Sequence, residues 1–293
     1  MVILGHNGFI GRHLVARLER NENVSVVDGA SLPGCDLTRM DQVERLRPQF
    51  TPETVLIICA ARKRQLGDHL DAYDENAGMI TNLCRVLQDS PPLARVIFFS
   101  SAAVYGEEHH DVNITEETAI RPTSYYGGAK FAGECLLRKT LEPRTEVVAL
   151  RPALVFGPGD GAMYGPSGFV RSALDSRTIA LWGDGSERRE FVYVEDVAEI
   201  VSRLVDHPFS GVINVVNGRS DTFQEVVGLI RYLVPDLEVT TRPRSKSQVD
   251  HGFNNSLLRK LCPDLRFTPL AEAVENTWRA AKESGLEAAV ERK

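Results

Sequence analysis

The sequence predicts an α/β fold: a doubly wound parallel sheet with a smaller C-terminal α/β lobe. Three observations carry this expectation. Short apolar runs alternate with segments of helical period from residue 2 to residue 151. Runs such as Val55-Leu-Ile-Ile-Cys-Ala-Ala61 are continuously apolar, as in strands buried on both faces. The residues that read as functional, Gly5, Asp28, Ala60, Ser101 and Pro152, all fall at the carboxyl ends of these runs. Parallel α/β sheets bind their ligands at that edge.

Taken in order, Val2-Ile-Leu4 is a first buried strand, and Gly5-His-Asn-Gly8-Phe9-Ile10-Gly11 follows at once. Next comes a helix with Leu14, Val15 and Leu18 on its apolar face. A strand, a glycine loop and a helix N-terminus make an anion site, because the backbone can approach a pyrophosphate closely. Val24-Ser-Val-Val-Asp28 is the second strand, ending in an acid 17 residues after Gly11. That offset suits a carboxylate on the adenosine ribose of NAD, and it favours NAD over NADP because a 2'-phosphate would be repelled. A helix around 39–47, the strand from Val55, a long helix at 69–88 and the strand Arg95–Ser100 continue the alternation. Residues 107–121 are polar and read as a loop. A helix from about 122 and the strand Thr145–Arg151 complete the first part.

After Pro152 the texture changes. Residues 156–168 are rich in glycine and proline and read as a loop or lid. A helix at 169–176, strands at 179–182, 188–194 and 212–216, and helices at 195–206, 222–233 and 269–283 follow, with the last eight residues frayed. The expected division is residues 1–155, completed by about 190–216, for a dinucleotide, with 156–189 and 217–285 as the substrate lobe.

The 293 residues suffice for a substantial core, and the 25% charged content is ordinary for a globular protein. A net charge of −6 argues against nucleic acid or an anionic membrane as a partner. Five cysteines without a CxxC pair read as buried thiols, with neither disulfides nor a metal site expected. The N-terminus reads as lacking a signal peptide and no apolar stretch reaches membrane length, so a cytoplasmic protein is expected.

Tyr126-Gly-Gly-Ala-Lys130 places a phenol and an ammonium four residues apart, on one helix face. Ser124 is available to cap that helix. A cation beside a phenol favours phenolate, which predicts a lowered Tyr126 pKa and a base that works near neutrality. A helix that merely carries both residues is the alternative at this point.

The ordered set Gly5-xx-Gly8-xx-Gly11, Asp28, Asp36-Leu37, Ala60-Ala61, Asn76, Ser100-Ser101-xx-Val104-Tyr105-Gly106, Tyr126-xxx-Lys130, Arg151-Pro152 and Arg189-Glu-Phe-Val-Tyr-Val-Glu-Asp196 resembles one family closely. It is that of the extended short-chain dehydrogenase/reductases of the NAD-dependent nucleotide-sugar epimerase/dehydratase type, which have a Rossmann-type sheet. The resemblance implies Ser101, Tyr126 and Lys130 as the catalytic triad. It implies cofactor contacts from Gly5, Gly8, Phe9, Ile10, Gly11, Asp28, Asp36, Leu37, Ala60, Ala61, Asn76, Tyr126, Lys130 and Pro152. Ser101, Ala102, Tyr126, Arg189 and Arg244 are implied on the substrate side, with the two arginines on a diphosphate. It further implies a homodimer through the helices at 69–88 and 122–141.

The chain also departs from that family. Leu154 stands where a substrate-binding Asn is usual, and Ala102 and Ala103 stand where dehydratases and decarboxylases carry acids. No cysteine follows the serine motif for a fucose-synthase type of epimerisation. The expected activity is therefore epimerisation of a nucleotide sugar at C4, with NAD retained. The alternatives are an NAD(P)-dependent keto-sugar reductase or dehydrogenase and, from another class, a dinucleotide-binding protein without activity. The last would be expected to have lost Tyr126 or Lys130, and both are present.

Overall fold

The computed structural model describes residues 1–21, 24, 28–161, 164–244 and 247–290. The chain runs β1 (Val2–Leu4), α1 (Phe9–Leu18), β2 (Asp28–Ala30), α2 (Met40–Glu44), β3 (Val55–Ile58), α3 (Leu70–Gln88) and β4 (Arg95–Phe99). It continues with β5 (Asp111–Ile114), α4 (Tyr125–Leu141), β6 (Val147–Pro152), β7 (Leu154–Phe156), α5 (Gly165–Ser176), β8 (Thr178–Trp182) and β9 (Arg188–Tyr193). It closes with α6 (Val194–Leu204), β10 (Gly211–Val215), β11 (Ser220–Thr222), α7 (Phe223–Leu233), β12 (Glu238–Arg242), β13 (His251–Phe253), α8 (Ser256–Leu261) and α9 (Leu270–Val290).

The central sheet has six strands in the order β10-β6-β4-β3-β1-β2, and every neighbouring pair is parallel. Its continuously apolar strands supply both faces, because successive side chains point to opposite sides. On one face Ile3, Ile57, Ile97 and Val148 pack with Leu14 and Leu18 of α1 and with Val197, Ile200, Val201 and Leu204 of α6. On the other, Leu4, Leu56, Ile58, Val96 and Phe98 pack with Val43 of α2, Ile80, Leu83 and Leu87 of α3, and Leu137 and Leu141 of α4. A third cluster, around Phe156, Phe191, Phe223 and Val274, joins β7 and β9 to α5, α7 and α9.

Several expectations need correction. The segment 107–121, read as a loop, contains β5, which pairs in parallel with β13 more than a hundred residues later. A four-residue strand has no periodicity of its own to reveal it. Helix α5 begins at Gly165, inside the segment read as a loop to 168, with Pro166 in its first turn. The helix at 39–47 is shorter than expected, and a 3-10 turn follows at Arg47–Gln49. Most of the strand expected at 24–28 lies outside the described residues. What is described runs from Asp28 to Ala30, with Asp28 level with Val2 and Ala30 level with Leu4. Helix α9 is described to Val290, within the last eight residues expected to fray; residues 291–293 lie outside the described residues. All five cysteines are free, but Cys135 is exposed on α4 rather than buried. Among the described residues no helix is long and apolar enough to cross a membrane, and no cluster of side chains could hold a metal ion.

Candidate active site

A cavity of about 880 Å³ runs along the carboxyl edge of the central sheet. Its floor at one end is the glycine loop. Gly5 has φ +92° and donates its amide to Ala30 O at 2.7 Å. A Cβ on Gly5 would lie 2.7 Å from Ala60 N, and one on Gly11 would lie 2.1 Å from Gly5 O. Only glycine fits these positions. Helix α1 starts from Gly8 with no side-chain cap, so its first amides stay free for an anion. The opposite wall is pinned to this helix: Arg12 donates to Gly159 O at 3.1 Å, and His13 Nε2 lies 2.9 Å from Pro158 O. This cradle fits the pyrophosphate of a dinucleotide.

Around it, Phe9, Ile10, Asp36, Leu37, Ala60, Ala61 and Pro152 line the same cavity. The Asp36 carboxylate accepts from the Thr38 amide and hydroxyl at 2.9 and 2.7 Å, which holds its turn in place. Two expected cofactor residues lie elsewhere. Asp28 is exposed and does not line the cavity, because β2 runs on to Ala30 and it is Ala30 and Ser31 that reach the edge. Asn76 is buried and turned to the backbone: it accepts from Arg62 N at 2.9 Å and donates to Arg62 O and Ala72 O. It braces the loop after β3 instead of lining the cavity.

At the middle of the edge stand Ser101, Tyr126 and Lys130. Ser101 follows β4 and caps a 3-10 turn, accepting from Ala103 N at 3.1 Å. Ser124 caps α4 by accepting from Gly127 N at 3.0 Å, which fixes the start of the helix one residue before Tyr125. Helical spacing then stacks Lys130 Nζ 5.6 Å from the Tyr126 ring centroid. Tyr126 is hydrogen-bonded to Ser101 through their side chains. Tyr125 is exposed and takes no part. Lys130 donates to Phe99 O at 2.7 Å and is held down to about 8, chiefly by burial.

The expected lowering of Tyr126 is not found in the protein alone. Burial pushes it up to about 12, and the hydrogen bond from Ser101 and the charge of Arg64 only partly oppose this. Desolvation of the phenolate outweighs its neighbours until more positive charge arrives.

Toward the other end, Arg189 lines the main cavity with Tyr164, Leu154, Glu190, His251 and Phe253. Arg189 and Arg244 are brought together across 55 residues of sequence by Glu187, which accepts from both. Sequence inspection missed Glu190 and His251. Glu190 is buried and pushed up to about 7 by that burial, while accepting from Gly218 N. His251 is held below its ordinary value by burial and by Arg189, and its Nε2 lies 2.8 Å from His109 O. Both reach the cavity through β9 and the β5–β13 pair, and no local pattern announces that pairing. A side cavity of about 230 Å³ adjoins at Tyr164 and is lined by Phe169, Phe223, Trp182, Glu187 and Arg242.

The sequence matches the model of the NAD dependent epimerase/dehydratase family over residues 1–217. The chain belongs to this family. It is similar to an ADP-L-glycero-D-manno-heptose-6-epimerase of Pseudomonas paraeruginosa, 30% identical over 259 residues that cover 77% of this chain and 76% of the relative. It is also similar to a Streptomyces dTDP-4-dehydro-6-deoxy-D-allose reductase, 26% identical over 78% of this chain and 79% of the relative. Its fold is shared with the UDP-N-acetylglucosamine 4-epimerase of Methanobrevibacter ruminantium in complex with UDP-N-acetylmuramic acid. That match has a TM-score of 0.83 at 24% identity and covers 97% of this chain and 98% of the other. This member of the NAD-dependent epimerase/dehydratase family is thus an enzyme of the epimerase or oxidoreductase type, with NAD as its cofactor.

Proposed function

We propose that this enzyme is a nucleotide-sugar epimerase acting at C4 through a transient 4-keto sugar, with Tyr126 as the base. The supporting observation is the grouping of Ser101, Tyr126 and Lys130 beside the glycine cradle, with alanines at 102 and 103. Bound in the cradle, NAD supplies the acceptor and later the donor of a hydride. Tyr126 takes the proton of the C4 hydroxyl, and Ser101 hydrogen-bonds the oxygen as it becomes a carbonyl. Tyr126 returns the proton after the sugar has presented its other face. Because burial holds Tyr126 at about 12 in the protein alone, the base forms only in the loaded site, where positive charge lies beside it. Neither Ala102 nor Ala103 can move a second proton, so the acids that dehydratases and decarboxylases carry at these positions are missing, which favours epimerisation.

The nucleotide half of the substrate is assigned to the other end of the cavity. Arg189 offers a guanidinium fork to a diphosphate from the cavity wall, Arg244 stands behind it through Glu187 without lining either cavity, and the aromatic walls of the side cavity suit a base. Residues 1–155 with about 190–216 hold the cofactor in this scheme, and 156–189 with 217–285 hold the substrate. Two copies are expected to pair through α3 and α4. Leu154, which removes a polar contact from the cavity wall, favours a second possibility, a keto-sugar reductase with exchangeable cofactor.

The absorbance spectrum of desalted protein separates the two. NAD or NADH that stays bound supports the epimerase, and an empty protein that consumes NADH with a keto sugar supports the reductase. Tyr126→Phe is expected to lower kcat by about 10²–10⁴ while cofactor binding persists; full activity in that variant would refute Tyr126 as the base.

A further inference from the structure

One carboxylate of the side cavity is tied to an arginine of the main cavity. Glu187 accepts from Arg189 Nη2 through one oxygen and from Arg244 Nη1 through the other. Arg189 lines the main cavity and Glu187 the side cavity. The side chains of Glu187, Arg189 and Arg244 are only 16, 18 and 20% exposed, so this is a sheltered seat with two positive charges against one negative. The nearby acids are tied elsewhere. Asp250 accepts from Arg188 N at 2.9 Å, and Asp184 accepts from Ser186 N and Oγ.

The seat is also incomplete. Arg244 Nη2 is buried and has no hydrogen-bond partner. The Arg244 side chain lies against Gly183, where a Cβ would sit 2.4 Å from Nε, so only glycine there leaves the space it occupies. Arg189 Nη1 donates to Arg188 O and Val249 O. Arg189 is thus tied to the backbone, while the carboxylate between the forks has a flexible stem and no backbone tie of its own among the described residues. A carboxylate has two oxygens for these donors, and a diphosphate has more oxygens and more charge.

We propose that Glu187 is an internal stand-in for the substrate's diphosphate and acts as a gate between the two cavities. A diphosphate takes both forks together with the free Arg244 nitrogen, and the Glu187 carboxylate swings out. Its departure joins the sugar end of the main cavity to the side cavity, where Tyr164, Trp182 and Arg242 meet the base. While in place, Glu187 keeps the arginines positioned and refuses weaker anions, so the discrimination comes from competition as well as attraction. This inference rests on the nucleotide-sugar assignment above.

The test is calorimetric titration of inorganic pyrophosphate, and of UDP, ADP, GDP and dTDP, into the wild-type enzyme and Glu187→Gln. The amide keeps the shape and removes the competing charge. Pyrophosphate and at least one nucleoside diphosphate are expected to bind about tenfold tighter to the variant, equivalent to about 1.4 kcal/mol. The gain should vanish when Arg189→Ala is added. Glu187→Asp, too short to reach both forks, should fall between wild type and Glu187→Gln and keeps the test open if the amide disturbs folding. Equal or weaker binding to both Glu187 variants would overturn the gate and leave the nucleotide-sugar assignment standing. No binding of any of these ligands to any of the proteins would overturn both.

Discussion

Two of the carboxylates that hold arginine in this enzyme do so to opposite ends. Glu134 on α4 grips Arg151 on β6 at 2.9 Å from Nε and 2.7 Å from Nη2, and it also accepts from Ser100 Oγ. Arg151 Nη1 donates to Tyr105 Oη at 2.9 Å, and Tyr105 donates to Asn214 Oδ1 at 2.7 Å. The pair is almost wholly shielded from solvent and each guanidinium nitrogen and carboxylate oxygen has a partner, although Asn214 Nδ2 at the end of the network is buried with none. It ties the end of β4, α4, β6 and β10 together behind Ser101 and Lys130, so it holds the frame in which the proposed catalytic group sits. Glu187 instead bridges two partly exposed arginines at a cavity boundary and leaves one guanidinium nitrogen unpaired. A completed ionic network fixes geometry, whereas an incomplete one is a place for a ligand. Lys130 lies between these cases: it is buried, donates to Phe99 O and feels the charge of Glu134, without an ion pair to a carboxylate among the described residues.

The sharpest way to break this comparison is Glu134→Gln. Removing one charge of a buried pair strands the other, so unfolding free energy in a denaturant titration should fall by about 4 kcal/mol. A loss below about 1 kcal/mol would place Glu134 with Glu187 as a dispensable partner.

Lys130 supplies the next test. Burial holds it down to about 8 in the folded chain, against an ordinary value of 10.5. Between pH 8 and 10.5 the unfolded chain therefore keeps a proton that the folded chain has shed. The stability of the wild type should accordingly rise with pH across that window relative to Lys130→Met, by up to about 3 kcal/mol. Parallel pH profiles for the two proteins would mean that the ammonium is not desolvated.

The smallest effect is expected at the open seat. Arg189→Ala should leave the denaturation midpoint nearly unchanged while weakening a nucleoside diphosphate about tenfold, or about 1.4 kcal/mol, in calorimetry. Large destabilisation by this variant would show that the Glu187 cluster is a structural network after all.

Much of the catalytic half was legible because its signals are local. Tyr126 and Lys130 share a helix, Gly5, Gly8 and Gly11 share one turn, and Ser101 directly follows its strand. The resemblance already puts Arg189 and Arg244 on a diphosphate, but nothing in the run Glu187-Arg-Arg-Glu190 shows that Glu187 bridges the two. His251 and Glu190 are two more residues whose place in the cavity depends on distant pairings. Asp28 shows the reverse failure: its spacing from Gly11 matches a ribose acid, but the register of β2 against β1 carries the strand two residues farther.

The sequence alone determined the parallel sheet, the glycine cradle and the helix that carries Tyr126 and Lys130. Continuous apolar runs, close backbone approaches and a four-residue helical repeat are each written within a few neighbouring positions. Tertiary structure alone decided the β5–β13 wall, the register of β2, the closed Glu134–Arg151 network and the open seat at Glu187. Each joins segments brought together only by burying the cores on either side of the sheet, and no local periodicity records which distant partner will arrive.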